Sequence, residues 1–216
     1  MLYLNFHGVG EPGRGIGGAE RTVWLNDCLF ADMLRLAVGR EDVGLSFDDG
    51  NLSDLVVALP CLQRLGLRAE FFVCAGRIGQ VGYLGASELR MLCEAGMSVG
   101  SHGWAHLRWH GLTSAELHTE IIEAKDRIEQ TLGQPVQAAA CPFGSYGRRA
   151  LAMLHEAGFT RVYTSDRGLA LPTGWLRPRN AICMHDTLAS VSRLLDGTAS
   201  KSGPFTALKR LLKRWR

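Results

Sequence analysis

Short apolar runs of strand length alternate with segments of helical spacing at least six times along this 216-residue chain. No other feature constrains the fold as much. Successive strand–helix–strand units lay their strands parallel in one sheet and put the helices outside it. Residues 2–6, 43–47, 69–75, 97–100, 136–141, 159–164 and 180–184 read as strands. The run over 69–75 is continuously apolar, as in a strand buried on both faces. Helical spacing covers residues 24–36 and 52–65, with Pro60 placed to kink the second. A short helix capped at Ser87 runs to Ala95, and another opens with Arg148. Thr113-Ser114-Ala115-Glu116 is a capping box for a helix that Gly133 stops, and a last helix starts at Asp186. The pattern alone leaves two architectures open, a barrel or an open doubly wound sheet.

The chemistry-bearing residues fall at the C-terminal ends of the predicted strands, where parallel α/β folds gather their sites. Leu45-Ser46-Phe47-Asp48-Asp49-Gly50 ends a strand in two carboxylates and a glycine. Adjacent strand positions point to different sides, so one carboxylate can bind a metal while the other faces a water or substrate. Taken alone, Asp-Asp-Gly is a common turn. The partners come from His102-Gly103-Trp104-Ala105-His106, two imidazoles four residues apart after another strand. Two histidines and one carboxylate make a site with open positions, suited to zinc and also to Fe, Co or Ni. The glycine-rich loop over residues 8–18 lacks the ending of a phosphate loop and reads as a cleft edge.

These residues resemble the polysaccharide deacetylase family, carbohydrate esterase family four. Ser46 to Gly50 match its first motif. His102 and His106 match the second, with Gly103 where a hydroxyl residue is usual. Ala140-Cys141-Pro142-Phe143-Gly144-Ser145-Tyr146 is similar to the third in one branch. The resemblance covers roughly residues 2–190. It implies a distorted (β/α) barrel of about seven parallel strands. It also implies that Asp49, His102 and His106 bind a divalent metal, zinc first, with Asp48 as general base and a backbone N–H near Phe143 at the oxyanion. The implied reaction is removal of N-acetyl groups from an amino-sugar glycan. A related amidase acting on a small non-sugar amide, or a non-catalytic glycan-binding relative, are the alternatives. The general acid falls to His185, in Cys183-Met184-His185, or to His7 at the end of the first strand. Each has a structural alternative, as a helix cap and as a loop-bonded histidine respectively. Ala140 stands where many members carry an arginine that orients the base, and Arg177 or Arg179 could supply that charge. Phe143, Tyr146, Trp104 and Arg179 are the expected substrate contacts.

Composition bounds the partners. Twenty-four Lys and Arg against twenty-one Asp and Glu give a formal charge of +3, too little to argue for nucleic acid. Six scattered cysteines without a C-x-x-C pair are read as reduced, buried thiols. Met1 to Phe6 has no basic lead of an export signal, so the chain is expected to be cytoplasmic. Residues 1–196 are expected to form the catalytic domain and 197–216 a linker with a basic amphipathic helix. That helix either lies in an anionic membrane surface at its inner face or docks back on the domain.

Overall fold

The computed structural model describes residues 1–13, 18–197 and Lys213. Its centre is a ring of parallel strands. In chain order they are β1 (Leu2–Phe6), β2 (Val43–Asp49), β3 (Glu70–Val73), β4 (Ser98–Ser101), β5 (Ala138–Ala140), β6 (Arg161–Thr164), β7 (Leu176–Pro178) and β8 (Asn180–Ala181). Neighbours β1 to β7 pair in sequence order, and β8 pairs with the other side of β1. Only Arg179 separates β7 from β8. One run of chain therefore leaves β6, passes through Arg179 and joins β1, nearly closing the barrel. The Arg179 N–H donates to Thr164 O at 2.9 Å, and the Ile182 N–H donates to Asn5 O at 2.9 Å. Counting β7 and β8 as one bent strand gives the expected seven. Pro178 has no N–H to give to a ladder, which fits the place where the strand changes partner.

The period-two alternation separates two layers. Leu4, Phe6, Leu45, Phe47 and Phe71 face outward into the main apolar core under the helices. Tyr3, Phe72, Ala138, Ala140 and Tyr163 fill the barrel interior. Small residues make room there. A Cβ on Gly44 would lie 2.4 Å from the Tyr3 ring, and one on Gly100 would lie 2.6 Å from the Phe72 ring. The interior is also polar. Arg177 donates to the hydroxyls of Tyr3 (2.9 Å) and Tyr163 (3.4 Å), and the Tyr163 hydroxyl donates to Glu70 at 2.7 Å.

The helices are α1 (Asp27–Arg35), α2 (Leu59–Arg64), α3 (Ala86–Glu94), α4 (Ser114–His118), α5 (Ala124–Leu132), α6 (Arg148–Glu156) and α7 (Leu188–Leu195). Two are extended by π-turns, Asp54–Ala58 before α2 and Thr119–Glu123 between α4 and α5. The Thr113–Glu116 capping box is present, and Gly133 ends α5 in a left-handed conformation. Three boundaries differ from expectation. Trp24–Leu25 is extended and pairs with Gly8–Val9, so α1 begins after Asn26, whose side chain accepts from Leu29 N at 2.8 Å. Gly85, not Ser87, is the N-cap of α3. The 180–184 strand is shorter than expected and is preceded by the unforeseen β7. All six cysteines are free, but only Cys74 and Cys141 are buried, while Cys28 is exposed. The expected amphipathic helix lies outside the described residues except at Lys213. The Lys213 ammonium donates to Gly144 O at 2.9 Å and pairs with Asp166 at 2.5 Å, a contact with the body of the domain.

Candidate metal centre and active site

The register of β1 to β4 brings the predicted motifs to one rim. Asp48 lies opposite Phe72 and Asp49 opposite Val73, which in turn lies opposite Ser101, the residue before His102. His102 N donates to Val73 O at 2.8 Å, fixing where the histidine loop leaves the barrel. The two carboxylates then diverge. Asp48, 2 % exposed, turns into the barrel, whereas Asp49 turns to the histidines. Asp49 has a φ of 79°, in the left-handed region that few non-glycine residues adopt. His106 (59°) and Phe143 (56°) share that region, so three of the four such non-glycine residues among those described belong to this rim. Strain of this kind persists where surrounding contacts over-determine the backbone. Gly50 follows with a φ of +71°, and a Cβ there would lie 2.9 Å from Val73.

Asp49 Oδ1 lies 3.3 Å from His106 Nε2 and 3.9 Å from His102 Nε2, and the three donor atoms lie within 4.8 Å of one another. Asp49 Oδ1 is buried and accepts no hydrogen bond. His102 Nδ1 sits 2.8 Å from Ala140 O. A carbonyl can only accept, so Nδ1 carries the proton and the Nε2 lone pair is left between the two carboxylates, 3.7 Å from Asp48 Oδ2 and 3.9 Å from Asp49 Oδ1. Burial, the largest cause, pushes His106 down to about 4, so at neutral pH it too is an unprotonated donor. An orphaned carboxylate oxygen beside two imidazole lone pairs fits a divalent cation. Arg77 Nη1, 3.7 Å from the same oxygen, adds a positive charge at the rim that the sequence did not reveal.

Asp48 is held differently. Arg179 donates to Oδ1 at 2.7 Å and to Oδ2 at 2.8 Å, and Asn5 Nδ2 donates to Oδ2 at 2.9 Å. The same guanidinium donates to Asn5 Oδ1 at 2.7 Å and Ser46 Oγ at 3.1 Å. Burial raises the Asp48 pKa, but the charge and hydrogen bonds of Arg179 overcome it and hold the carboxyl well below the usual range. Arg179 is fully buried, so it is not a substrate contact as expected; it grips the candidate base. Its guanidinium rests over the rings of Phe72 (5.1 Å) and Tyr163 (5.7 Å), and Ala140 lies in the same interior cluster. The charge missing at Ala140 is thus supplied from the bent last strand, while Arg177 serves the Tyr3–Tyr163 network below.

His7 Nε2 is 3.9 Å from Asp48 Oδ2. His185 is exposed on the loop after β8, and among the described residues no ion pair or hydrogen bond joins it to either aspartate. The Phe143 ring is half exposed and lies tilted 4.4 Å from the His106 ring, with the Arg108 guanidinium 4.3 Å from its centre. Trp104 is half-buried against Gly76, where an added Cβ would lie 3.0 Å from Nε1. Tyr146 is wholly buried and donates to Asp166 at 2.7 Å, which removes it as a direct glycan contact. Besides Arg77, three polar residues near the rim escaped the sequence reading. Asn5 had a signal, an inward amide in an otherwise apolar strand. Asp54 and Glu120 had none, since an acidic residue within a helical pattern carries no local mark of burial. Asp54 is fully buried, neither of its oxygens has a hydrogen-bond partner among the described residues, and burial with the nearby charges of Asp49 and Asp48 raises its pKa well above the carboxylate range.

A sequence profile for polysaccharide deacetylases matches residues 36–162, more than half the chain. The chain belongs to the polysaccharide deacetylase family. Among curated relatives it is similar to the peptidoglycan-N-acetylglucosamine deacetylase PgdA of Listeria monocytogenes, 28% identical over 108 residues, which is 50% of this chain and 22% of that protein. It is similar to chitin deacetylase 1 of Cryptococcus neoformans, 28% identical over 120 residues, 55% of this chain and 24% of that one. The match therefore spans about a quarter of each of these relatives. Among solved structures, the fold resembles Streptococcus pyogenes deacetylase PplD in complex with acetate. The TM-score is 0.77 at 20% identity, covering 93% of this chain and 98% of that one. Within this family member, Asn5, His7 and Arg179 all lie outside the segment the profile matches. The sequence left that charge open between Arg177 and Arg179, and the structure assigns it to Arg179, with Asn5 beside it.

Proposed function

We propose that the chain is a metal-dependent hydrolase that removes N-acetyl groups from an amino-sugar glycan. The observation that carries this reading is the division between adjacent carboxylates. Asp49 offers two imidazoles an oxygen that accepts no hydrogen bond among the described residues, while both Asp48 oxygens are gripped by Arg179, with Oδ2 still 3.7 Å from His102 Nε2. The relatives' names, a peptidoglycan-N-acetylglucosamine deacetylase and a chitin deacetylase, support the substrate class.

Asp49, His102 and His106 would hold the cation, with zinc the best fit to two imidazoles and one carboxylate. When bound, it would polarise the amide carbonyl and acidify a water. Asp48, ionised throughout the physiological range, accepts the proton as the water oxygen bonds to the acetyl carbon. A carboxylate held this low is a weak base, so it depends on an acidified donor. The Phe143 backbone N–H is the candidate donor to the oxyanion. The C–N bond then breaks, and the proton goes to the leaving nitrogen to give a free amine and acetate. His7, beside Asp48, is better placed for that proton than the exposed His185. The exposed Phe143 ring and the half-buried Trp104 are apolar faces for a sugar ring.

Acetate release from N-acetylglucosamine oligomers by the zinc-loaded full chain tests the reading. Release that Asp48→Asn abolishes while the metal stays bound supports it. No release by the wild type, with metal bound, refutes it.

A further inference from the structure

The loop that carries the second histidine is fastened from behind by a residue no motif includes. Glu120 is 2 % exposed and lies in the π-turn Thr119–Glu123. Its Oε1 accepts from the Ala105 N–H at 2.7 Å, directly before His106. Its Oε2 accepts from Trp109 Nε1 at 3.2 Å, and Trp109 is itself fully buried. One carboxylate therefore ties both sides of His106, which sits in a left-handed conformation it would not adopt unaided. A π-turn adds one residue to a helix and is a common device for aiming a side chain at a functional site.

Gly103 makes the same point independently. Its φ is +83°, and a Cβ there would lie 2.4 Å from Glu120 Oε2 and 3.3 Å from Trp109 Nε1. Any side chain at 103 would push Glu120 out. The departure from the usual hydroxyl residue in this motif and the burial of Glu120 are thus one arrangement.

We propose that Glu120 is a positioning residue for the metal centre, holding the 102–109 loop so that His106 presents its ring nitrogen beside Asp49. This rests on the metal reading above. It acts through the loop and touches neither substrate nor cation.

The test is zinc affinity of the metal-free full chain, read by competition with a chromophoric chelator. Three variants are compared with wild type: Glu120→Gln, Trp109→Phe and Glu123→Gln. Glutamine keeps the volume but turns an NH2 toward one of the two donors. Losing a group that orients a metal ligand weakens metal affinity by roughly 10–100-fold, and that is the loss expected for Glu120→Gln. Trp109→Phe removes one donor and keeps the packing, so a several-fold loss is expected. It decides the matter alone if Glu120→Gln does not fold. Glu123, exposed on the same π-turn and paired with His118, reports any general effect of removing a helix charge; the affinity of Glu123→Gln should match wild type. Circular dichroism of the metal-free forms should be unchanged, and the zinc-induced rise in Tm should shrink in Glu120→Gln. Wild type binding one zinc while both Glu120→Gln and Trp109→Phe bind it equally well would overturn the role of Glu120 and leave the metal reading standing. Wild type binding no zinc would overturn both.

Discussion

Replacing Arg179 with methionine tests how the candidate base is held. The side chain is fully buried and gives two hydrogen bonds to Asp48, one to Asn5 and one to Ser46. Removing one partner of a buried pair strands the other charge and costs about 3–5 kcal/mol. A domain of this kind has a net stability of about 5–15 kcal/mol, so the loss is large. The sign with pH follows from Asp48. In wild type its folded pKa is depressed, so its stabilisation is present above the unfolded value and is lost as pH falls. Without Arg179, burial dominates and raises the pKa, so the sign inverts and stability is lost as pH rises. The gap between Arg179→Met and wild type should therefore be wider at pH 7 than at pH 4.5. Adding Asp48→Asn to Arg179→Met removes the stranded charge and should restore about 1–3 kcal/mol without restoring activity. Urea unfolding of the metal-free proteins measures all of this. An Arg179→Met stability within about 1 kcal/mol of wild type, or a double variant no more stable than the single one, would refute the reasoning.

Other consequences follow from the same geometry. Asp54 has a raised folded pKa, so its contribution is favourable at low pH and lost as pH rises. Asp54→Asn should raise the Tm of the metal-free protein by roughly 2–4 °C at pH 7 and leave it unchanged near pH 4, read by calorimetry. His106 has a lowered pKa of about 4 against an ordinary 6.5, so protonating it opposes folding. Metal-free wild type should lose about 2–3 kcal/mol as pH falls from 6.5 to 4, and His106→Gln should flatten that limb in urea titrations. Phe143→Ala removes a half-exposed ring. It should raise KM for a chitin oligomer by about 2–10-fold with little change in Tm.

The strand–helix alternation and the motif residues at strand ends were legible because period two, capping boxes and adjacent carboxylates are local signals. The barrel was one of two architectures the pattern allowed, and the family resemblance selected it. What decided closure was Arg179, where a short strand changes partner, and no local pattern marks such a point. Arg179 also shows why a charged residue near a motif is easily assigned to substrate: its burial comes entirely from the interior it closes. Tyr146 failed as a glycan contact for a similar reason, since an aromatic in a rim motif can belong to the core. Glu120 and Asp54 were invisible because an acidic residue within a helical pattern carries no local mark of burial.

The most direct measurement is an anomalous difference map at the zinc edge from crystals of the zinc-loaded chain. One peak is predicted, about 2.0–2.2 Å from Asp49 Oδ1, His102 Nε2 and His106 Nε2. A map with no peak there, or with the ion bound elsewhere and Asp49 beyond bonding reach, would contradict the account.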